Sequence, residues 1–292
     1  MRPPLVLTIA DSQSDGAAGI QADLKTFTAL GVYGASAVSM ITAVSTRGVR
    51  ESRPLPGPLL RTQIDAVAED LWIDATKIGA LGSAENVDAL AQALTAHRSR
   101  LGRIVLDPVM VAADGTALIT AEGARAIGEQ LLQMVDVLTL TMAEAAQLLG
   151  EAVAPSIEQM REHALALQAR GPATVLITGG LLEGEDVVDV LVHPGGTDLL
   201  RAQRVPGRRV RGAGTTLSAA IAAQLARIAE FDRAGELEEI GEPGTDDDMI
   251  TIIASAREFL ASATENARDW QISRSADGHG PVNHLITLDN AD

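Results

Sequence analysis

The 292 residues are 46% hydrophobic and 21% charged, a balance typical of a globular α/β protein with a sizeable core. The formal net charge of -16 disfavours a surface for nucleic acid or anionic lipid, and the 2% of aromatic residues disfavours a base-stacking module. The absence of cysteine excludes disulfides and thiolate metal sites and suits a reducing compartment. The first apolar run, 5–10, is too short for a signal sequence or a membrane span. We therefore expect a cytoplasmic protein that binds neither membrane nor nucleic acid.

Strand and helix signals alternate along the chain. Short apolar runs predict buried strands at 5–10, 35–43, 75–78, 104–106, 135–138 and 174–177. Apolar residues at three- and four-residue spacing predict helices at 20–30, 59–70, 84–96, 121–132, 143–149 and 157–169. This alternation is typical of an α/β fold with a central, mainly parallel sheet and helices on both faces.

Ligands of such sheets bind beyond the carboxyl ends of the strands, which directs attention to the loops there. After the first strand, 11–19 is small and polar. It either lines a pocket or is a solvated turn in which Ser14 or Asp15 caps the next helix. Asp107 ends another strand and either holds a magnesium-bound water or substrate hydroxyl, or initiates an Asp-Pro turn. Thr141 and Glu144 have the spacing of a capping box.

A glycine-rich turn opens a predicted helix later in the chain. Gly212 and Gly214 allow positive φ and close approach to the backbone, and Thr215 or Thr216 is expected to cap the helix through 217–225. The unpaired N–H groups of such a turn and the helix dipole favour an anion, including charge that develops on phosphate oxygens during transfer. The alternative is that the glycines serve packing alone.

The last third of the chain is acidic. Between Glu230 and Asp248 there are nine acids and one base, so this segment holds -8 of the -16 net charge. It is interpreted as a solvated, mobile insertion at about 230–248 between two helices, and metal binding is the less favoured interpretation. A final helix is predicted at about 249–267. His279 and His284 follow it and suggest either a structural tail or metal ligands.

Several short segments, taken in order, resemble one family. They are AGIQADLKTF at 18–27, LGVYG at 30–34, KIG at 77–79, LGS at 81–83, DPVM at 107–110 and GHGP at 278–281. From about Leu5 to His284 the chain resembles the hydroxymethylpyrimidine/phosphomethylpyrimidine kinase family of thiamine biosynthesis. The resemblance implies a single ribokinase-like domain over 1–292 that forms a homodimer. It also implies transfer of the ATP γ-phosphate to the hydroxymethyl group of the pyrimidine and then to its monophosphate, with magnesium.

The resemblance also implies roles for individual positions. Thr215 would face the reacting hydroxyl, and Glu144 would act on Mg²⁺ through water. The anion hole would be formed by Gly212, Ala213 and Gly214. The substrate would contact Asp11, Ala18, Asp23, Val44, Ala80 and Val109. The nucleotide would contact Asp107, Thr141, Thr178 and Gly180.

At six of these positions the chain departs from the family pattern. The usual residue is given in parentheses: Thr215 (cysteine, or aspartate in sugar-kinase relatives), Val44 (glutamine), Ala80 (methionine), Asp11 (glycine), Thr141 (asparagine) and Thr178 (lysine). A threonine hydroxyl does not act as a base at neutral pH, and loss of a general base typically costs about 10²–10⁴-fold in rate. Together the changes predict slow or redirected chemistry.

Three readings of function follow. The first is ATP-dependent phosphorylation of hydroxymethylpyrimidine or its phosphate, or of a related hydroxymethyl compound. The second is a catalytically impaired or non-catalytic ligand-binding member of the same fold. The third is an ordinary kinase in which a loose transition state makes positioning more important than a strong base.

Overall fold

The computed structural model describes residues 2–180, 182–205, 210–234, 246–274 and 278–286, and the side chains of all of these except 231–234 and 246–248. Within these ranges the strands are β1 Leu5–Gln13, β2 Tyr33–Ser45, β3 Gly48–Pro54, β4 Ala75–Ile78, β5 Arg103–Leu106, β6 Val137–Thr141, β7 Thr174–Thr178, β8 Asp186–His193 and β9 Gly196–Gln203. The α-helices are α1 Gly19–Ala29, α2 Gly57–Asp70, α3 Ala84–His97, α4 Ala121–Ala126, α5 Met142–Leu149, α6 Ile157–Gln168, α7 Ala213–Ala234 and α8 Asp246–Glu265.

All the strands join one sheet in the order β3-β2-β1-β4-β5-β6-β7-β8-β9. The six strands from β2 to β7 in this order are parallel, while β3, β8 and β9 pair antiparallel at the two edges. The α/β prediction of a mainly parallel sheet is confirmed. Chain order reverses between β1 and β4, and this switch point is where open α/β sheets bind ligands.

Alternate residues of the central strands face two separate cores. Leu5, Leu7 and Ile9 of β1 join the core under α2 to α6, whereas Val6 joins the core under α1, α7 and α8. Strands buried on both faces are apolar throughout, which is why the sequence revealed them. Within the described ranges, no helix has both the length and the apolar character needed to cross a bilayer.

Several predicted boundaries were wrong. β1 continues to Gln13, three residues beyond the predicted end, so Asp11 lies in a strand and not in a loop. The predicted strand at 135–138 is Val137–Thr141, and the predicted helix at 121–132 is α4 followed by a π turn, Ile127–Leu131. Of the predicted acidic insertion, 235–245 lies outside the described residues. Its two ends belong to α7 and α8.

Candidate active site

The glycine-rich turn before α7 is tightly packed on one side and open on the other. Gly212 has a φ of +80°, and a Cβ there would lie 1.8 Å from the carbonyl oxygen of Ala17. At Gly214 a Cβ would meet nothing within 4 Å. The Thr216 N–H donates to the Gly212 carbonyl at 2.8 Å. This is the first hydrogen bond of the helix, so the N–H groups of residues 213–215 have no partner within it. Unpaired N–H groups at a helix start are what an anion site requires.

The two threonines of this turn do not cap α7, so that prediction is wrong. The helix begins at Ala213, which places both side chains inside its first turn. Thr216 Oγ1 lies 3.0 Å from His284 Nε2. Burial, with the charge of Lys25, lowers the pKa of His284 to about 4, so the imidazole is neutral at pH 7. The Thr215 hydroxyl makes no hydrogen bond within the described part of the chain.

Asp107 follows β5 and reaches the first turn of α7 through one hydroxyl. Ser218 Oγ lies 2.9 Å from Asp107 Oδ2 and 3.1 Å from the carbonyl oxygens of Gly214 and Thr215. Asp107 is 5% exposed, and burial raises its pKa. Its carbonyl also accepts the Val109 N–H at 2.7 Å, as a turn would require. The carboxylate and the glycine-rich turn therefore lie beside each other.

A buried ion pair lies next to this carboxylate. Lys77 Nζ of β4 is 3.1 Å from Asp23 Oδ2 of α1, and the two residues are 1% and 0% exposed. Thr8 Oγ1 donates to the same carboxylate oxygen at 2.6 Å. A Cβ at Gly79 would lie 2.9 Å from Lys77 Nζ, so the glycine leaves room for the amine. Burial raises the pKa of Asp23 to about 6 even though Lys77 opposes the shift.

Glu144 forms the capping box of α5 that the sequence predicts. Its Oε2 accepts the Thr141 N–H at 2.8 Å, and the Thr141 hydroxyl in turn accepts the Glu144 N–H at 3.3 Å. Its Oε1 accepts the Met110 N–H at 3.3 Å, which ties α5 to the loop after β5. Burial and the charge of Asp107 raise the pKa of Glu144 to about 7. The two carboxylates are therefore close enough to repel each other.

Asp11 lies near the end of β1, one of the two strands that border the switch point, at a position where the β1–β2 pairing is irregular. Its Oδ2 accepts Gln13 Nε2 at 2.9 Å and the Thr42 hydroxyl at 3.0 Å. The residue is 2% exposed, and burial raises its pKa. The aspartate that stands where the family usually has glycine is therefore built into a hydrogen-bonded network.

Three other predicted substrate contacts lie on neighbouring strand ends. Val44 is buried, and its backbone N–H and carbonyl both bond the Ser14 hydroxyl, at 2.9 and 2.7 Å. Ala80 and Val109 belong to one small apolar cluster with Met40. Val44 and Ala80 thus offer only apolar side chains on this side of the site.

The loop between β1 and α1 contacts the glycine-rich turn. Neither Ser14 nor Asp15 caps α1, so that reading is wrong: the N-cap is Ala18, without a side-chain hydrogen bond. The Ser14 hydroxyl donates to the Val44 carbonyl of β2, and Asp15 forms an ion pair with the Arg211 guanidinium. A Cβ at Gly212 would lie 3.5 Å from the Ala18 Cα. The predicted substrate contact Ala18 and the predicted anion hole therefore adjoin.

The remaining nucleotide-side predictions lie on the other half of the sheet. Thr141 and Thr178 are register partners at the ends of β6 and β7. Thr178 Oγ1 donates to the Leu140 carbonyl at 3.4 Å, so it faces the sheet backbone. Gly180 is exposed, and its carbonyl accepts Arg204 at 2.8 Å. This pair of strand ends is separated from Asp11 and its neighbours by β4 and β5.

Sequence reasoning assigned no role to three buried residues that join the parts of the site: Lys77, Arg211 and Ser218. A lysine within the apolar run of β4 was an available signal, because a buried charge requires a partner. Arg211 stands directly before Gly212 but has no local pattern that identifies its partners. Nothing in the local sequence distinguishes Ser218 from the other small residues of an apolar helix.

Comparison with known proteins places this site in context. Residues 13–236 match the family model described as phosphomethylpyrimidine kinase. The chain is 40% identical over 282 residues to a hydroxymethylpyrimidine/phosphomethylpyrimidine kinase of Rhizobium meliloti. The aligned region covers 96% of this chain and 97% of that protein. These matches confirm the resemblance predicted from the ordered segments.

Solved structures agree. The pyridoxal kinase of Staphylococcus aureus in complex with AMP-PCP and pyridoxal has a TM-score of 0.82 at 28% identity, covering 100% of this chain and 97% of that one. A phosphomethylpyrimidine kinase from Clostridium difficile has a TM-score of 0.72 at 30% identity, covering 89% and 98%. The predicted ribokinase-like fold is therefore confirmed.

Proposed function

The chain belongs to the phosphomethylpyrimidine kinase family, and on that premise we propose that it transfers the ATP γ-phosphate to a hydroxymethylpyrimidine or its monophosphate, as in thiamine biosynthesis. The proposal rests on the open first turn of α7, whose unpaired N–H groups adjoin both the β1–α1 loop and Asp107. ATP as donor is supported by the similar kinase that binds AMP-PCP. The nucleotide would lie over the ends of β6 and β7, beside Thr141, Thr178 and Gly180.

The chemistry proposed for this chain is mainly positioning. The N–H groups at 213–215 would stabilise charge on the transferred phosphoryl oxygens, in a transition state that is loose. Asp107 is held against α7 by Ser218, which fixes the helix start relative to β5. Thr215 would adjoin the reacting hydroxyl and steer it without accepting its proton at neutral pH.

The carboxylates fit a magnesium ion that is shared with phosphates. Among the described residues, no group of three or more His, Cys, Asp or Glu is placed to hold a metal. Asp107 and Glu144 repel each other, and Mg²⁺ typically uses one or two carboxylates together with waters and nucleotide phosphates. When bound, the ion would neutralise charge on the phosphates. The predicted role for Glu144 is to hold it through water.

The substrate pocket is proposed to be remodelled. Val44 supplies no side-chain hydrogen bond and Ala80 leaves space where the family usually has larger residues. Loss of one polar partner weakens binding by about 1–3 kcal/mol. Asp23 is the polar residue that the resemblance assigns to substrate binding, and its buried Oδ1 has no hydrogen-bond partner among the described residues. A related hydroxymethyl compound is the second candidate substrate, because a similar structure is a kinase bound to pyridoxal.

We propose one kinase domain over 1–292, a homodimer, and a cytoplasmic location. Substrates are small molecules and not nucleic acids, in keeping with the net charge of -16.

A single-turnover assay tests the activity. Purified protein in excess is mixed with γ-labelled ATP, Mg²⁺ and one acceptor: hydroxymethylpyrimidine, its monophosphate or pyridoxal. We expect label on one of the pyrimidines, and an Asp107→Asn variant to transfer at least tenfold more slowly. Calorimetry with ATP and with each acceptor runs in parallel.

Two outcomes would contradict the proposal. Transfer to pyridoxal alone would move the function to the second candidate substrate. Binding of ATP and acceptor without transfer to any of the three would favour the non-catalytic reading.

A further inference from the structure

Arg211 is a buried arginine whose contacts all lie around the proposed site. It is 7% exposed, and its side chain forms an ion pair with Asp15. Its Nη1 donates to the Ser45 carbonyl at 2.8 Å and its Nη2 to Gln13 Oε1 at 3.1 Å. Its backbone N–H donates to the Gly280 carbonyl at 2.9 Å. Arg211 therefore joins its own segment to three others: the end of β1 with the loop after it, the end of β2, and the segment at Gly280.

These segments include both halves of the proposed reaction centre. Gln13 ends β1 and Asp15 lies in the loop that leads to Ala18, on the proposed acceptor side. Gly212 follows Arg211 directly and opens the turn proposed to hold the transferred phosphoryl group. The Gln13 side chain, while accepting from Arg211, donates to Asp11 at 2.9 Å. A continuous path of hydrogen bonds thus runs from the turn to the switch point of the sheet.

The geometry points to Arg211 as a positioning residue for phosphoryl transfer, and this inference rests on the proposed function. We propose that its guanidinium fixes the separation between the acceptor-side loop, 13–18, and the turn at Gly212. A planar fork with several donors holds several acceptors in one geometry, which a lysine ammonium does not reproduce. Small misplacements of reacting groups are costly, since a shift of about 1 Å can lower the rate about 10²-fold.

The contact pattern separates a role in transfer from a role in nucleotide binding. None of the partners of Arg211 belongs to β6 or β7, where the nucleotide is proposed to lie. Loss of the guanidinium should therefore lower kcat and alter the KM for the acceptor, while the Kd for ATP stays within about threefold. A merely structural arginine would change stability without this split.

The test measures kcat, the acceptor KM and the ATP Kd for Arg211→Met, Arg211→Lys and Asp15→Asn, below the Tm of each variant. We expect a fall in kcat of about 10–100-fold for Arg211→Met, and partial recovery in Arg211→Lys. The double variant Arg211→Met/Asp15→Asn should be no slower than Arg211→Met alone, because both changes break one ion pair. Should Arg211→Met fail to fold, Arg211→Lys and Asp15→Asn still give the measurement.

Arg98→Met is a control remote from the proposed site, at a more exposed ion pair: the Arg98 side chain is 47% exposed and that of Arg211 8%. Arg98 also pairs with an aspartate, Asp136, at 3.0 Å and donates to the Gly102 carbonyl at 2.9 Å, but at the amino ends of β5 and β6. We expect it to lower Tm and leave kcat unchanged. An active wild type with equal kcat in all Arg211 variants would overturn the positioning role alone. A wild type that transfers phosphate to no acceptor would overturn the proposed function and the role together.

Discussion

At the scale of single residues, one buried lysine lies near two buried carboxylates at the carboxyl ends of the strands. Lys77 contacts Asp23 directly and also lowers the pKa of Asp107, while burial raises the pKa of both acids. A buried pair contributes little net stability, but removing one partner leaves an uncompensated charge.

Substitution of the lysine should expose this cost. We expect Lys77→Met to reduce the free energy of unfolding at pH 7 by about 3–5 kcal/mol, because Asp23 is left buried and unpaired. Asp23→Asn added to it should restore most of the loss, since the amide keeps the hydrogen bond to Thr8 without a charge. Urea unfolding measures both. A loss below about 1 kcal/mol in Lys77→Met would refute this account.

Thr215 remains the predicted limit on catalysis. Its hydroxyl makes no hydrogen bond within the described residues, so Thr215→Cys or Thr215→Asp removes none. Restoring a group that can accept a proton should raise phosphorylation of the bound acceptor tenfold or more. ATP affinity, measured in the same variants, distinguishes a slow enzyme from one that does not hold nucleotide. A wild-type rate of about 1–100 per second would show that threonine is no handicap.

At the scale of elements, the start of α7 combines a constrained residue with an open one. Gly212 is in the left-handed region and contacts Ala17, whereas Gly214 has free space around its Cα. The two glycines therefore have different reasons to be there: one for backbone packing and one for access to the backbone.

Alanine substitutions should separate these roles. Gly212→Ala is expected to lower the free energy of unfolding by about 2 kcal/mol or more, from left-handed strain and collision with Ala17. Gly214→Ala should leave stability equal or slightly higher, because alanine favours helix. Its effect should instead be slower phosphoryl transfer, because a methyl group would enter the open space beside the proposed phosphoryl site. Thermal and urea unfolding, with the single-turnover assay, check both. Equal stability of the two variants would contradict the close packing of Gly212 against Ala17.

His284 links this helix start to the C-terminal segment and gives it a pH dependence. Its pKa is lowered to about 4 from 6.5, so between these values this histidine binds more protons in the unfolded state, and its contribution to stability falls as pH decreases. From pH 7 to 4 the loss amounts to about 3 kcal/mol. His284→Gln keeps a partner for Thr216 and should lack this loss, whereas the opposing effects of Asp23 and Glu144, whose pKa values are raised by burial, are common to both proteins. Urea unfolding at several pH values tests it, and parallel pH curves would refute it.

At the scale of the whole molecule, the proposed acceptor side and the proposed nucleotide side lie at the carboxyl ends of strands on different halves of the sheet. The ends of β1, β2 and β4 form one half and those of β6 and β7 the other. The start of α7 contacts Ala17 before α1 and Asp107 after β5, and so lies between them.

The predicted homodimer belongs to this scale as well. Tyr33 and Ile41 of β2 are 58% and 48% exposed, and burial of such side chains would favour association. Light scattering during size-exclusion chromatography should give a mass near twice 30.4 kDa at micromolar concentration. A mass of 30.4 kDa that does not rise with concentration would contradict the dimer.

The elements predicted best from the sequence are the strands whose residues are buried on both faces of the sheet. β1, β4, β5, β6 and β7 are buried on both faces and therefore read as continuous apolar runs. β3 and β9 lie at the sheet edges with mostly exposed residues, and the acids in β8 interrupt its apolar pattern, so none of the three was predicted. The capping box at Thr141 and Glu144 was predictable because it depends on local spacing alone.

By itself the sequence determined the parallel sheet, the family and the glycine-rich turn, because these follow from local patterns and ordered segments. Only the tertiary structure decided which charged groups meet. Lys77 and Asp23 are 54 residues apart, Ser218 and Asp107 are 111 apart, and Arg211 and Gln13 are 198 apart. No periodicity or spacing encodes such contacts, since they depend on how strand ends and helix starts converge after packing.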